Sequence, residues 1–283
     1  MKILLPSDSK QSLGGGWTFR RNLEKGLNQL GHQVITTIDD ADIALISSAT
    51  MVTWQTMEQL KAKNKKIVLR LDNVPRNSRN RNTGTSRLKG FSKMADEVIW
   101  QCNWARDYLI DFIKKTGHVI YNGIDTDIFK LDGDAYHFDS KDDVYLYSRF
   151  NRDETKNWEV AWYEFQMIYR ENKNAKLKIV GNFSPEQREY NFDFFRGEDI
   201  QFLGTIDNPE TMAQIMRGCN YFLATYYNDC FSNTYLEALA CGMKLSCINK
   251  SGGTPELLEN HNITLKQMAQ NYIDVFLKVL NSI

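Results

Sequence analysis

Apolar residues along this chain fall into two rhythms. Short runs rich in apolar or β-branched residues occur at 2–5, 33–37, 41–47, 66–71, 96–100 and 119–121; each reads as a strand, the first of them buried. Between them lie stretches with one apolar face. In 17–30, Trp17, Leu23, Leu27 and Leu30 share a side of a helix that Gly31 ends, and 54–63 and 103–114 are helical in the same way. The pattern then returns. Strands are predicted at 143–147, 176–180, 200–203, 221–225 and 244–248, helices at 156–172, 211–217 and 233–240, and a last amphipathic helix at 265–280. Strand–helix alternation of this kind builds parallel sheets covered by helices on both faces. The fold class is therefore α/β, with two doubly wound parallel-sheet domains facing a cleft. The expected division is 1–124 and 125–264 around an acidic, turn-rich joint near 124–142, with 265–283 packing back on the first domain.

Composition adds exclusions. The chain has 283 residues, 42% hydrophobic and 25% charged, with 35 Lys+Arg against 35 Asp+Glu. These values exclude disordered and disulfide-framework classes, and a zero net charge supplies no global pull toward nucleic acid or anionic membrane. The five cysteines are odd in number and form no Cys-x-x-Cys, so they read as reduced thiols. The opening stretch has too few apolar residues before Pro6 for a signal-peptide core, and no run approaches a membrane span. The expected location is cytoplasmic, peripheral to a membrane at most.

In open α/β sheets ligands sit beyond the carboxyl ends of strands, so residues just after strands carry the candidate chemistry. Gly14-Gly15-Gly16 follows the first strand and opens the first helix, where backbone amides can meet an anion. A plain flexible turn explains it equally, and the pattern is neither Gly-x-Gly-x-x-Gly nor a P-loop. Ser148, Arg149, Arg152 and Lys156 follow the strand at 143–147, cations suited to a diphosphate or to a solvated charge cluster. Asp229, Phe231, Ser232, Asn233, Thr234 and Glu237 straddle the start of the helix at 233–240. Two carboxylates there suit sugar or ribose hydroxyls, and the capping-type residues suit phosphate; an ordinary cap with a surface Glu is the simpler alternative.

These stretches resemble the GT-B glycosyltransferases, in particular the retaining family 4 type. Asp229-x7-Glu237 resembles that family's Glu-x7-Glu, followed by Ala238-Leu-Ala240-Cys241-Gly242 and Gly252-Gly253-Thr-Pro-Glu256. Asn122-Gly123-Ile-Asp125 with Phe129 resembles its interdomain motif, Ser148-Arg149…Lys156 its diphosphate clamp, and Leu30-Gly31-His32-Gln33-Val34 a further N-terminal element. The resemblance implies two Rossmann-like domains and a hexosyltransferase that uses a nucleotide-diphosphate sugar, with no tightly bound cofactor and no metal. It implies that Arg149, Lys156 and Asp229 are catalytic, and that Gly15, Gly16, Arg152, Phe231, Ser232, Asn233, Thr234 and Glu237 bind the donor. This chain departs from the pattern in carrying Asp229 for Glu and Ser148 for Gly. Its Arg149–Lys156 spacing is longer, which brings in Arg152. No His matches the family's N-terminal one; Asp72, after the strand at 66–71, is the better-placed polar residue, or else simply starts a turn.

From Lys61 to Lys93 the chain has eleven cations and one acid, Asp72. The segment 75–87 is poor in apolar residues and reads as a mobile loop. This stretch suits an anionic surface or acceptor, or is a solvated face; few aromatics interleave, which argues against nucleic acid. The expected partners are a nucleotide-sugar donor and a glycan or lipid-linked acceptor. A non-catalytic nucleotide-sugar binder, or a same-fold epimerase or phosphorylase, is the alternative.

Overall fold

The computed structural model describes residues 1–8, 14–74, 81–138, 143–150, 154–182 and 199–282, with the backbone alone for 81–85. By contact the chain divides into two compact units. One comprises Met1–Asp125, Cys230–Asn233 and Gly252–Ile283; the other comprises Thr126–Asp229 and Thr234–Ser251.

The first unit holds a six-stranded, all-parallel sheet made of β1 (Lys2–Leu4), β2 (Gln33–Ile35), β3 (Ile43–Ile46), β4 (Lys66–Leu71), β5 (Glu97–Trp100) and β6 (His118–Val119), in the order β2-β1-β3-β4-β5-β6. Its helices are α1 (Gly15–Gln29), α2 (Trp54–Ala62), α3 (Arg81–Met94), α4 (Asn103–Ile113), α8 (Thr254–Glu259) and α9 (Leu265–Asn281). The second unit holds a five-stranded parallel sheet of β7 (Val144–Phe150), β8 (Lys176–Gly181), β9 (Ile200–Gly204), β10 (Tyr221–Leu223) and β11 (Lys244–Ser246), in the order β11-β10-β7-β8-β9. With it come α5 (Trp158–Glu171), α6 (Pro209–Arg217) and nearly all of α7 (Asn233–Ala240).

The core of the first unit explains the last helix. Thr264 caps α9 and exchanges hydrogen bonds with Gln267, a reciprocal capping box. The buried stripe Leu265, Met268, Tyr272, Ile273 and Phe276 then meets Phe19, Leu23 and Leu27 of α1. Gly26 permits this approach: a Cβ there would lie 2.5 Å from the Leu265 carbonyl oxygen. Each fully buried Leu, Ile or Phe contributes about 2 kcal/mol.

The structure corrects two readings of the sequence. The segment predicted as a mobile loop, 75–87, carries a helix from Arg81 onward, while 75–80 lies outside the described residues. Local composition disfavours that helix, but Leu88 and Phe91, three apart, are buried, and the exposed-edge Trp54 packs across Phe91 with ring centroids 4.7 Å apart. Gly90 leaves room for it, since a Cβ there would collide with the Trp54 ring. Tertiary burial thus overrides propensity. The glycine turn is also shorter than expected. Gly14, at φ 111°, is the N-cap, and Gly15 and Gly16 are the first residues of α1 itself.

Candidate active site

In the second unit β7 continues through Ser148 and Arg149 to Phe150, with the register shifting between Ser148 and Phe150. Arg149 is the bulged residue and has φ 72°, a left-handed conformation that a side chain normally avoids. Such strain persists where the surroundings dictate it and is concentrated at functional positions. A short 3-10 turn, Glu154–Lys156, follows, and Asn157, also left-handed at φ 54°, leads into α5.

This turn is stapled to the loop after β10. Asn157 Nδ2 donates to the Thr225 carbonyl at 2.9 Å, and the Tyr227 N–H donates to the Thr155 carbonyl at 2.7 Å. The Tyr147 hydroxyl donates to the Lys156 carbonyl at 2.8 Å. These bonds deliver Lys156 to Asp229: Nζ donates to Oδ2 at 2.6 Å, with the two side chains only 10% and 13% exposed. The same ammonium lies over the Tyr226 ring, 4.2 Å from its centroid.

Tyr226 is the hub beneath. It stacks on Tyr235 of α7 at 4.7 Å, donates its own N–H to the Tyr235 hydroxyl oxygen at 2.8 Å, and donates its hydroxyl to the Ser148 carbonyl at 2.7 Å. Burial pushes the hydroxyls of both tyrosines far up, so both remain neutral. The charges of Arg149, Asp229 and Glu237 all reach the Tyr226 hydroxyl. The fold therefore gathers Arg149, Lys156, Asp229 and Glu237 around one buried tyrosine, with buried Thr234 in the first turn of α7. Arg152 lies outside the described residues.

The remaining predicted residues fall in the first unit. The N-terminus of α1 has no side-chain cap and no acid in its first turn, and a Cβ added at Gly14 or Gly15 would meet open space. Phe231 and Ser232 are buried, and the Phe231 ring stacks on Tyr121 at 5.0 Å. Asp72 pairs with Arg70 at 3.3 Å through one oxygen, while its other oxygen is buried without a hydrogen-bond partner.

Spacing did not assign roles to Glu256, Asn122 or Arg70. The Glu256 carboxylate caps α4, taking the N–H groups of Asn103 and Trp104 at 2.8 and 2.7 Å, the Asn103 side chain and the Tyr121 hydroxyl. Burial, and then Glu256 itself, push that hydroxyl up to about 12. The signals available were the final Glu of Gly-Gly-x-x-Glu and the Asn of Asn-Gly-Ile-Asp. For Arg70 the signal was a cation inside an otherwise apolar strand. Within the basic stretch, Arg70 is buried, Lys63 pairs with Asp39, and Lys65 and Lys66 donate to backbone carbonyls. Among the described residues no group of three or more His, Cys, Asp or Glu could hold a metal ion, and no helix is long and apolar enough to cross a membrane.

The sequence profile described as glycosyl transferases group 1 matches residues 141–282, half of the chain. The chain belongs to that family. A member of glycosyl transferases group 1 is a nucleotide-sugar-dependent glycosyltransferase, and the two Rossmann-like sheets are those of the GT-B fold. Solved structures agree on the fold. Anabaena Alr3699/HepE in complex with UDP-glucose aligns with a TM-score of 0.67 at 15% identity, covering 99% of this chain and 90% of that one. Sucrose-phosphate synthase from Thermosynechococcus elongatus aligns with a TM-score of 0.67 at 15% identity, over 99% and 96%. AviGT4, a glycosyltransferase of avilamycin A biosynthesis, aligns at 0.66 and 12%, over 100% and 98%. No curated protein matches this group 1 chain significantly by sequence.

Proposed function

We propose that the chain is a retaining glycosyltransferase that takes a sugar from a UDP-sugar and passes it to a hydroxyl of a glycan or lipid-linked acceptor. The observation that carries this reading is the Lys156–Asp229 pair at 2.6 Å, held before α7 in a chain of the group 1 family. The choice of uridine rests on the UDP and UDP-glucose complexes of Alr3699/HepE. Retention rests on resemblance to the family 4 type.

In this reading the diphosphate lies against Arg149, Lys156, Arg152 and the first amides of α7, where Ser232, Asn233 and Thr234 lie. The bond from the anomeric carbon to the phosphate oxygen breaks as the acceptor hydroxyl oxygen bonds to that carbon; the nucleotide diphosphate leaves with the electron pair and takes up the hydroxyl proton. Fixed cations then stabilise the charge that develops on it. A cation already paired to a carboxylate suits this step, because Lys156 is oriented before any ligand arrives. Asp229 accepts hydrogen bonds from the sugar hydroxyls, and Glu237 from the ribose. Gly15 and Gly16 offer backbone amides to an anionic group of the ligand, and Asp72 orients the acceptor hydroxyl. The basic stretch 61–93 makes peripheral contact with an anionic surface.

The test is calorimetric titration with UDP, GDP and ADP and with their sugar conjugates, on the parent, Arg149→Ala and Asp229→Ala. The expected result is selective UDP binding, weakened by Arg149→Ala, with Asp229→Ala weakening only the sugar conjugate. A folded parent that binds none of them would overturn the reading. Binding without turnover across acceptors would favour a degenerate binder in which Asp229, shorter than Glu, has lost the transfer step.

A further inference from the structure

The first unit contains a directional chain of hydrogen bonds that runs from its sheet to Asn233 and Gly15. It begins at Arg70, which is 1% exposed and sits in the fourth strand of an apolar sheet. Phe19 covers the face of its guanidinium, 3.7 Å from Cζ to the ring centroid. One arm faces the Ser47 carbonyl at 3.2 Å and the Asp72 carboxylate at 3.3 Å. The other arm donates to Asn122 Oδ1 at 3.1 Å.

The contact with Arg70 fixes which way the Asn122 side chain is turned. A guanidinium can only donate, so the Asn122 atom facing it must be the carboxamide oxygen. The Asn122 nitrogen then points the other way, to Asn233 Oδ1 at 2.7 Å and to the Phe231 carbonyl at 3.3 Å. Because Asn233 must accept there, its own nitrogen is the atom left to donate, and it reaches the Gly15 carbonyl at 3.3 Å. Each amide is oriented by the donor before it. The chain ends on the first residues of two helices, Asn233 of α7 and Gly15 of α1. Gln101 supports the middle by donating to the Phe231 carbonyl at 2.9 Å.

We propose that Arg70 and Asn122 are positioning residues: through this relay they set the first turn of α7 in the geometry that receives the donor diphosphate. The ligand class is a nucleoside diphosphate, and this step rests on the function proposed above. Neither side chain touches the reacting atoms. A helix N-terminus binds an anion well only when its amides converge on one point, and an amide that can rotate or fray contributes less. Buried side chains hydrogen-bonded on two sides restrict that freedom.

Asn122→Asp separates this role from plain stability. The aspartate keeps an acceptor for Arg70 and gains an ion pair with it, but can no longer donate to Asn233 or Phe231. The melting temperature is expected to hold, amide exchange in 231–237 to rise by hydrogen-exchange mass spectrometry with α9 unchanged, and UDP affinity to fall about tenfold or more. Arg70→Lys retains the charge without the fork, and should show the same exchange signature in a milder form. Unchanged exchange in 231–237 in both variants overturns the proposal, whatever the ligand result. Raised exchange with parental UDP affinity also overturns it, because the first turn would then not need positioning. If the parent itself binds no nucleotide, the functional reading fails while the relay stands or falls on the exchange data alone.

Discussion

Arg70 with Asp72 and Lys156 with Asp229 are both cation–carboxylate pairs withdrawn from water. Their side chains are 2% and 14% exposed in the first unit, and 10% and 13% in the second. Their chemistry differs. The Arg70 fork ties together a carbonyl, a carboxylate, a carboxamide and an aromatic face, so four separate points of the chain converge on one rigid cation. Lys156 is a compact charge on a flexible stem, holding one carboxylate oxygen at 2.6 Å over a ring. A planar fork suits permanent architecture, whereas a point charge can follow an incoming anion with small rotations. Arg70, which organises the fold, and Lys156, which is proposed to meet the donor diphosphate, are thus each the cation that fits its task.

The largest effect expected from this contrast is on Arg70. Arg70→Met leaves the Asp72 carboxylate and Asn122 Oδ1 without their donor in a buried site, which should cost about 3–5 kcal/mol in urea unfolding. A loss under about 1 kcal/mol would mean that the cluster is well hydrated and that the fork is dispensable.

Asp229→Ala should cost about 3 kcal/mol, because it removes the carboxylate that the buried Lys156 ammonium holds. The double variant Lys156→Met with Asp229→Leu should recover most of that loss, since an apolar pair of similar volume often replaces a buried ion pair without penalty. Nucleotide-sugar binding should not recover. If stability and binding returned together, the pair would be structural, and the distinction between the two units would vanish.

Arg149 offers a change of opposite sign. Arg149→Gly relieves the left-handed strain at φ 72°, and should stabilise the chain by about 1 kcal/mol even though glycine raises the entropy of the unfolded state. The same variant should weaken UDP binding, and a stability gain with parental binding would remove Arg149 from the site.

How far the sequence reached differs between these regions for physical reasons. Apolar runs such as 66–71 are local signals, and both parallel sheets were legible from them. Helix α3 was not, because Leu88, Phe91 and the contact with Trp54 outweigh a local composition of Asn, Gly, Ser and Thr. Arg70 was counted among eleven cations of a basic stretch, and only the fold turns it inward. The Lys156–Asp229 and Asn103–Glu256 contacts join residues 73 and 153 positions apart, a distance at which spacing carries no information and only a family motif does.

The smallest effect concerns a surface counterpart to these buried groups. Asp8, following β1, accepts from the Thr53 N–H at 2.7 Å and from the hydroxyls of Thr53 and Thr56 at the start of α2. Partial burial pushes its carboxyl up, but the hydrogen bonds from Thr56 and Thr53 outweigh that and hold it below its ordinary value. A carboxyl depressed in the folded state adds stability above its unfolded pKa of about 4 and loses it as the pH falls through the folded value. Asp8→Asn should therefore lower melting slightly at pH 7 and converge on the parent in acid, which flattens the limb below about pH 4. An acid limb identical to the parent's would mean that Asp8 titrates as a free side chain.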